Sequence, residues 1–277
     1  MGTKKKFSAL DFKRCKDEGR KFNMVVAYDY TMASIIDESD IESILVGDSC
    51  GMLCQGLKGT TAVTMDQMIY HTKCVVAGAP NTFVVGDMPF GSYQESCEQA
   101  IHNATRLMKE GGCDAVKLEG GIEIIDKIKA ITQIGIPVMG HIGLLPQTAA
   151  MTTGGFKVQG KDYATARKII DDAKALEEAG VFMIGLECVP AQLTKVMAKE
   201  ISTPINGIGA GVYDDGPGIV TYDMLGLTKG RVSKFTRKYL NMREEVLNAL
   251  NQFHADCCDR TYPSEDESYN MIVEGLE

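Results

Sequence analysis

The sequence predicts a single (β/α)8 barrel of the TIM type. Three observations carry this reading. Short apolar runs alternate with longer helical stretches along the chain. The runs are continuous rather than alternating, as strands are in a parallel sheet covered on both faces. The length, 277 residues, is that of one such barrel.

The apolar runs lie at 24–28, 44–48, 83–88, 115–119, 137–142, 182–188 and 205–208, with a weaker eighth at 218–222. Helices are expected between them. Residues 94–110 place Ala100, Ala104, Leu107 and Met108 on one stripe and stop at Gly111-Gly112. Residues 122–134 and 163–179 behave alike and end at Gly135 and Gly180. An open doubly wound sheet would want a glycine-rich turn after the first strand. Asp29-Tyr30-Thr31-Met32 stands there instead. The whole chain, 1–277, is therefore expected to form one barrel domain with a polar extension from about Asp256. Residues 146–161 are rich in Gly and Thr and long enough to act as a lid after the fifth strand.

Hydrophobic residues make up 44% and charged residues 24% of the chain, enough to bury a core without staples. The formal net charge of -8 argues against a nucleic-acid partner, and the single basic run, Lys4-Lys5-Lys6, reads as a solvated tail. Nine scattered cysteines with a polar start to the chain fit reduced thiols in the cytoplasm. Cys50 and Cys54 have no second matching pair, so zinc is not expected. Lys6 breaks the myristoylation pattern, and no apolar run reaches the length of a membrane span.

Catalytic groups of such barrels sit where strands end and βα loops begin. Here those positions hold Asp48-Ser49, Asp87, Lys117 with Glu119, His141 and Glu187, on five successive strands. Converging buried carboxylates need a cation or a proton. Asp48, Asp87 and Glu119 are hard oxygen ligands that suit Mg2+; singly, each would serve equally well as a helix cap. Lys117 lies two residues before Glu119, so both point the same way. An inward Lys holds a substrate carboxylate or pairs with the acids. Ser49 is a candidate donor to a carboxylate or an N-cap. His141 is a candidate substrate donor, metal ligand or structural residue. Glu187, between Leu186 and Cys188, is a candidate general base. Gly207-Ile208-Gly209-Ala210-Gly211 resembles a phosphate cradle, but Asp214 and Asp215 follow and would repel an anion, so a tight turn is preferred.

These segments resemble the ketopantoate hydroxymethyltransferase family. The resemblance rests on Val46-Gly47-Asp48-Ser49, Tyr70-His71-Thr72-Lys73, Asp87-Met88-Pro89-Phe90 and Val116-Lys117-Leu118-Glu119-Gly120-Gly121. It continues through Gly140-His141-Ile142-Gly143-Leu144, Gly155-Phe156-Lys157-Val158-Gln159-Gly160, Glu187-Cys188-Val189-Pro190, the glycine-rich run at 207–211 and Tyr262-Pro263. The resemblance implies a barrel of the phosphoenolpyruvate/pyruvate type. It implies magnesium on Asp48, Asp87 and Glu119, and 2-oxo acid contacts from Asp48, Ser49, Asp87 and Lys117, with Glu187 as proton acceptor. It further implies 5,10-methylenetetrahydrofolate as co-substrate, 3-methyl-2-oxobutanoate as acceptor, a place in pantothenate biosynthesis and cytoplasmic homo-oligomers, commonly decamers. The chain departs from the family pattern at Thr61-Ala62, Leu145, Asn206 and Pro217-Gly218. Those positions bear on selectivity for the substrate side chain and on contacts to the folate. Alternatives are a related barrel enzyme, lyase, mutase or hydroxymethyltransferase, acting on another 2-oxo acid, and a ligand-binding paralogue without activity.

Overall fold

The structure is a computed structural model and describes residues 4–149, 155–230 and 232–276. Eight parallel strands close into a barrel in sequence order. They are β1 Met24–Val26, β2 Ser43–Val46, β3 Phe83–Asp87, β4 Ala115–Glu119, β5 Val138–Gly143, β6 Met183–Glu187, β7 Ile205–Ile208 and β8 Gly216–Val220. The expected barrel is present, and all eight strands begin and end within two residues of the predicted runs. Among the described residues, no helix is long and apolar enough to cross a membrane.

The eighth strand starts two residues earlier than its sequence suggests. Gly216-Pro217-Gly218 carries no apolar signal, and its reason lies in packing. A Cβ at Gly216 would meet the Phe22 ring at 2.4 Å. Phe22 belongs to the barrel floor, where the fully buried Phe12 of helix Ala9–Asp17 stacks edge-on against Phe22 at 5.1 Å and Phe83 at 5.2 Å. That helix was not anticipated. Its signals are the Ser8–Asp11 capping box and the Phe12, Cys15 spacing.

The expected helix at 94–110 begins at Cys97, because the Ser96 side chain caps it by accepting from the Gln99 N–H at 3.1 Å. It runs to Arg106 and then widens into one π-turn, Leu107–Gly111. Gly112 takes the left-handed conformation, φ 79°, that ends it. Residues 122–134 form a 3-10 turn, Ile122–Ile124, followed by helix Ile125–Gln133. Helix Tyr163–Glu178 matches its expectation and is capped by Asp162.

The chain divides into two compact units, one of residues 1–221 with 234–236, the other of 222–233 with 237–277. The second therefore begins well before residue 256, where the sequence reads as an extension. It contains helix Met242–Cys258, which has no buried residue. The proposed lid at 146–161 lies partly outside the described residues, at 150–154.

Candidate active site

Register aligns the predicted groups. Asp87 pairs with Lys117 across β3 and β4, Glu119 with His141 across β4 and β5, and Gly143 with Glu187 across β5 and β6. Paired residues of parallel strands point to the same side, so these groups climb the barrel wall together.

Local chain geometry sets each one at the rim. After Glu119, Gly120 adopts φ 137°, and a Cβ on Gly121 would lie 2.2 Å from Asp172 Cγ. Asp172 fills that space and accepts from the Ile122 N–H at 3.1 Å, so the chain leaves the barrel directly after Glu119. At β5, Gly143 has φ 92°, and a Cβ there would lie 2.3 Å from the Glu187 carbonyl oxygen. Only glycine lets the end of β5 approach β6 this closely. Cys188 takes a positive φ of 48° without being glycine, a strained turn directly after Glu187.

Asp48, Asp87 and Glu119 each place a carboxylate oxygen within 4.8 Å of the others. Their exposures are 3%, 1% and 5%, and Lys117 beside them is 3% exposed. Lys117 Nζ lies 2.8 Å from Asp87 Oδ2 and 3.2 Å from Glu119 Oε1. The Asp48 backbone N–H donates to Asp87 Oδ2 at 3.1 Å. Burial, together with the charges of Asp87 and Glu119, pushes the Asp48 carboxyl well above the usual carboxylate range. Burial likewise raises Asp87, against the opposing pull of Lys117. For Lys117, burial works against the charged form, but Asp87, Glu119 and Asp48 outweigh it and hold the ammonium charged.

Does this set fit a divalent cation? With all three carboxylates ionised, one ammonium would leave two negative charges in a buried space, a state that burial resists by raising Asp48 and Asp87. Asp87 Oδ1 is buried there with no hydrogen-bond partner among the described residues. Both features, an uncompensated charge and an orphaned hard oxygen, are what a divalent cation answers.

His141 and Glu187 form a second pair. His141 Nε2 lies 3.0 Å from the Leu144 carbonyl oxygen and 3.3 Å from Glu187 Oε2. With a carbonyl as its neighbour, that nitrogen carries the hydrogen. His141 is not among the acids that converge; it faces the base candidate instead. Ser49 occupies the N-cap position of the short helix Cys50–Leu53, as the alternative expected, but its side chain makes no cap bond and its Oγ lies 2.9 Å from the Tyr28 hydroxyl. The glycine-rich run after β7 is a packed turn. A Cβ on Gly207 would lie 2.2 Å from Asp214 Oδ2, and Asp214 is itself paired to Lys21 at 2.7 Å.

Two residues near the acids were missed from sequence. Gln147 Nε2 donates to Asp48 Oδ2 at 3.0 Å, and the Gln147 backbone N–H donates to Glu119 Oε2 at 3.0 Å. The Tyr93 hydroxyl lies 2.8 Å from Gln147 Oε1. Both residues sit in βα loops, where no periodicity marks a residue as inward-facing.

A closed parallel barrel with acids, a lysine and a glutamate at the carboxyl ends of its strands defines a barrel enzyme. In fold the chain is similar to phosphonopyruvate hydrolase, with a TM-score of 0.59 at 12% identity covering 94% of this chain and 93% of that one. It is also similar to 2,3-dimethylmalate lyase, a member of the PEP mutase/isocitrate lyase superfamily, with a TM-score of 0.58 at 13% identity covering 95% and 92%. The sequence is more specific than the fold. The family model for ketopantoate hydroxymethyltransferase matches residues 6–265. The 3-methyl-2-oxobutanoate hydroxymethyltransferase of Clostridium botulinum (strain 657 / Type Ba4) is 50% identical over 260 residues, 94% of each chain. That of Enterococcus faecalis (strain ATCC 700802 / V583) is 49% identical over 272 residues, 98% of each. The chain belongs to the ketopantoate hydroxymethyltransferase family, and it is a transferase enzyme.

Proposed function

We propose that the chain moves a one-carbon unit from 5,10-methylenetetrahydrofolate to 3-methyl-2-oxobutanoate, giving 2-dehydropantoate for pantothenate biosynthesis, with Mg2+ at Asp48, Asp87 and Glu119. The observation that carries this reading is the meeting of three buried carboxylates around Lys117 in a chain of this family. A divalent cation bound there supplies Lewis acidity to the carboxylate and keto oxygens of a 2-oxo acid and so eases loss of the C3 proton.

The remaining work falls to the chain's own side chains. Lys117 and Ser49 orient the substrate carboxylate, and Asp48 and Asp87 line the same space. Glu187 takes the proton from C3. His141 is held by its Nε2–H to the Leu144 carbonyl, and its ring lies beside that carboxylate, with Nε2 3.3 Å from Glu187 Oε2. The freed electron pair at C3 forms a bond to the donor's methylene carbon. The carbon–nitrogen bonds to that methylene break, water supplies the hydroxyl oxygen, and tetrahydrofolate leaves.

We read the protein as a cytoplasmic homo-oligomer, a decamer as its resemblance implies. All nine cysteines are free, which supports a reducing compartment. Leu247, Leu250 and Phe253 of helix Met242–Cys258 are more than half exposed, which supports burial against another copy.

The test is product formation from purified protein, Mg2+, 3-methyl-2-oxobutanoate and the folate donor. Metal-dependent 2-dehydropantoate is the expected product. C3 proton exchange with no folate-dependent product would favour a related enzyme acting on another 2-oxo acid. Neither exchange nor product would overturn both enzyme readings.

A further inference from the structure

Gln147 makes more contacts to the carboxylate cluster than any pattern in the sequence suggests. It is 3% exposed and lies four residues past the end of β5. Its Nε2 donates to Asp48 Oδ2 at 3.0 Å and to the Met88 carbonyl at 2.9 Å. Both neighbours are acceptors, so the amide can point only one way. The Tyr93 hydroxyl, 2.8 Å from Oε1, holds the other end. That hydroxyl also lies 2.9 Å from the Glu119 carbonyl oxygen and accepts from the Glu119 N–H at 3.2 Å. The Gln147 backbone N–H completes the ring by donating to Glu119 Oε2. One oxygen of Asp48 and one of Glu119, from strands on either side of β3, are thus tied to a single loop residue.

We propose that Gln147 is a positioning residue that aims Asp48 and Glu119 at a divalent cation, with Tyr93 locking its amide. The inference rests on the reading of the acids as a metal site. Groups that orient ligating carboxylates typically set metal affinity within a factor of about 10–100. The amide donor also satisfies Asp48 without adding charge, which a carboxylate at 147 would not do.

The experiment is Mn2+ binding, followed by electron paramagnetic resonance and calorimetry, on wild type, Gln147→Leu, Tyr93→Phe and Asp48→Asn. Melting of the metal-free proteins checks that each is folded. Gln147→Leu should bind Mn2+ about 10-fold or more weakly, and Tyr93→Phe several-fold more weakly. Catalysis should show a raised requirement for metal with kcat largely kept at saturation. A merely structural residue would lower the folded fraction but leave the affinity of that fraction unchanged. Folded Gln147→Leu with wild-type affinity and an unaltered spectrum would overturn the proposal. Should Gln147→Leu fail to fold, Tyr93→Phe decides in the same way. Wild-type binding that Asp48→Asn leaves intact would instead overturn the metal site itself.

Discussion

Glu187 and His141 face one another across β5 and β6, and the division of labour between them is testable at single residues. Glu187→Gln keeps the shape and the reach to His141 but removes the carboxylate proposed as the base. We expect kcat to fall by about 10^2–10^4-fold, with the KM for the 2-oxo acid little changed, in steady-state assays. Lys117 supplies the ammonium that the acids contact. Removing one partner of a buried ion pair typically costs about 3–5 kcal/mol. Lys117→Met should lose stability on that scale in urea titrations of the metal-free protein. At this scale the sequence was informative where charge met an apolar strand. Asp48, Asp87, Glu119 and Glu187 stand at or just past strand ends and Lys117 within β4, where an ionisable group is conspicuous. Gln147 and Tyr93 were not legible, because a neutral residue in a loop becomes meaningful only when the loops converge.

At the scale of elements, glycines and one phenylalanine carry the placement of the rim and the floor. Gly143→Ala would put a methyl group 2.3 Å from the Glu187 carbonyl oxygen at a positive φ. The end of β6 must then shift. We expect a loss of kcat greater than the loss of stability, measured by kinetics alongside thermal melting. Phe12→Ala empties the fully buried floor of the barrel, well away from the acids. It should cost about 3–5 kcal/mol in chemical denaturation while the KM values stay near wild type. Strands β1 to β7 were legible because each is a continuous apolar run. Strand β8 was faint because Gly216-Pro217-Gly218 is shaped by what packs against it, Phe22 at Gly216 and Asn206 at Gly218. Helix Ala9–Asp17 was missed because a charged surface surrounds its two buried residues, Phe12 and Cys15.

For the whole molecule, the carboxylate cluster links stability, pH and metal. The pKa values of Asp48 and Asp87 are raised in the folded state by burial. The metal-free fold therefore keeps a proton that the unfolded chain has already released. Its stability should fall as pH rises from the ordinary Asp value, about 3.9, through the raised value. A divalent cation bound at the three acids would replace that proton. Metal affinity should accordingly rise with pH over the same window, and binding should release protons, counted by calorimetry in buffers of different ionisation enthalpy.

The central claim is that Glu187 removes the C3 proton of a 2-oxo acid beside a metal held by Asp48, Asp87 and Glu119. Proton NMR of 3-methyl-2-oxobutanoate in D2O, without folate, tests it most directly. Wild type with Mg2+ should exchange the C3 hydrogen for deuterium, chelation should stop the exchange, and Glu187→Gln should lack it. Exchange that persists at the wild-type rate in Glu187→Gln, or without a divalent metal, would contradict the account.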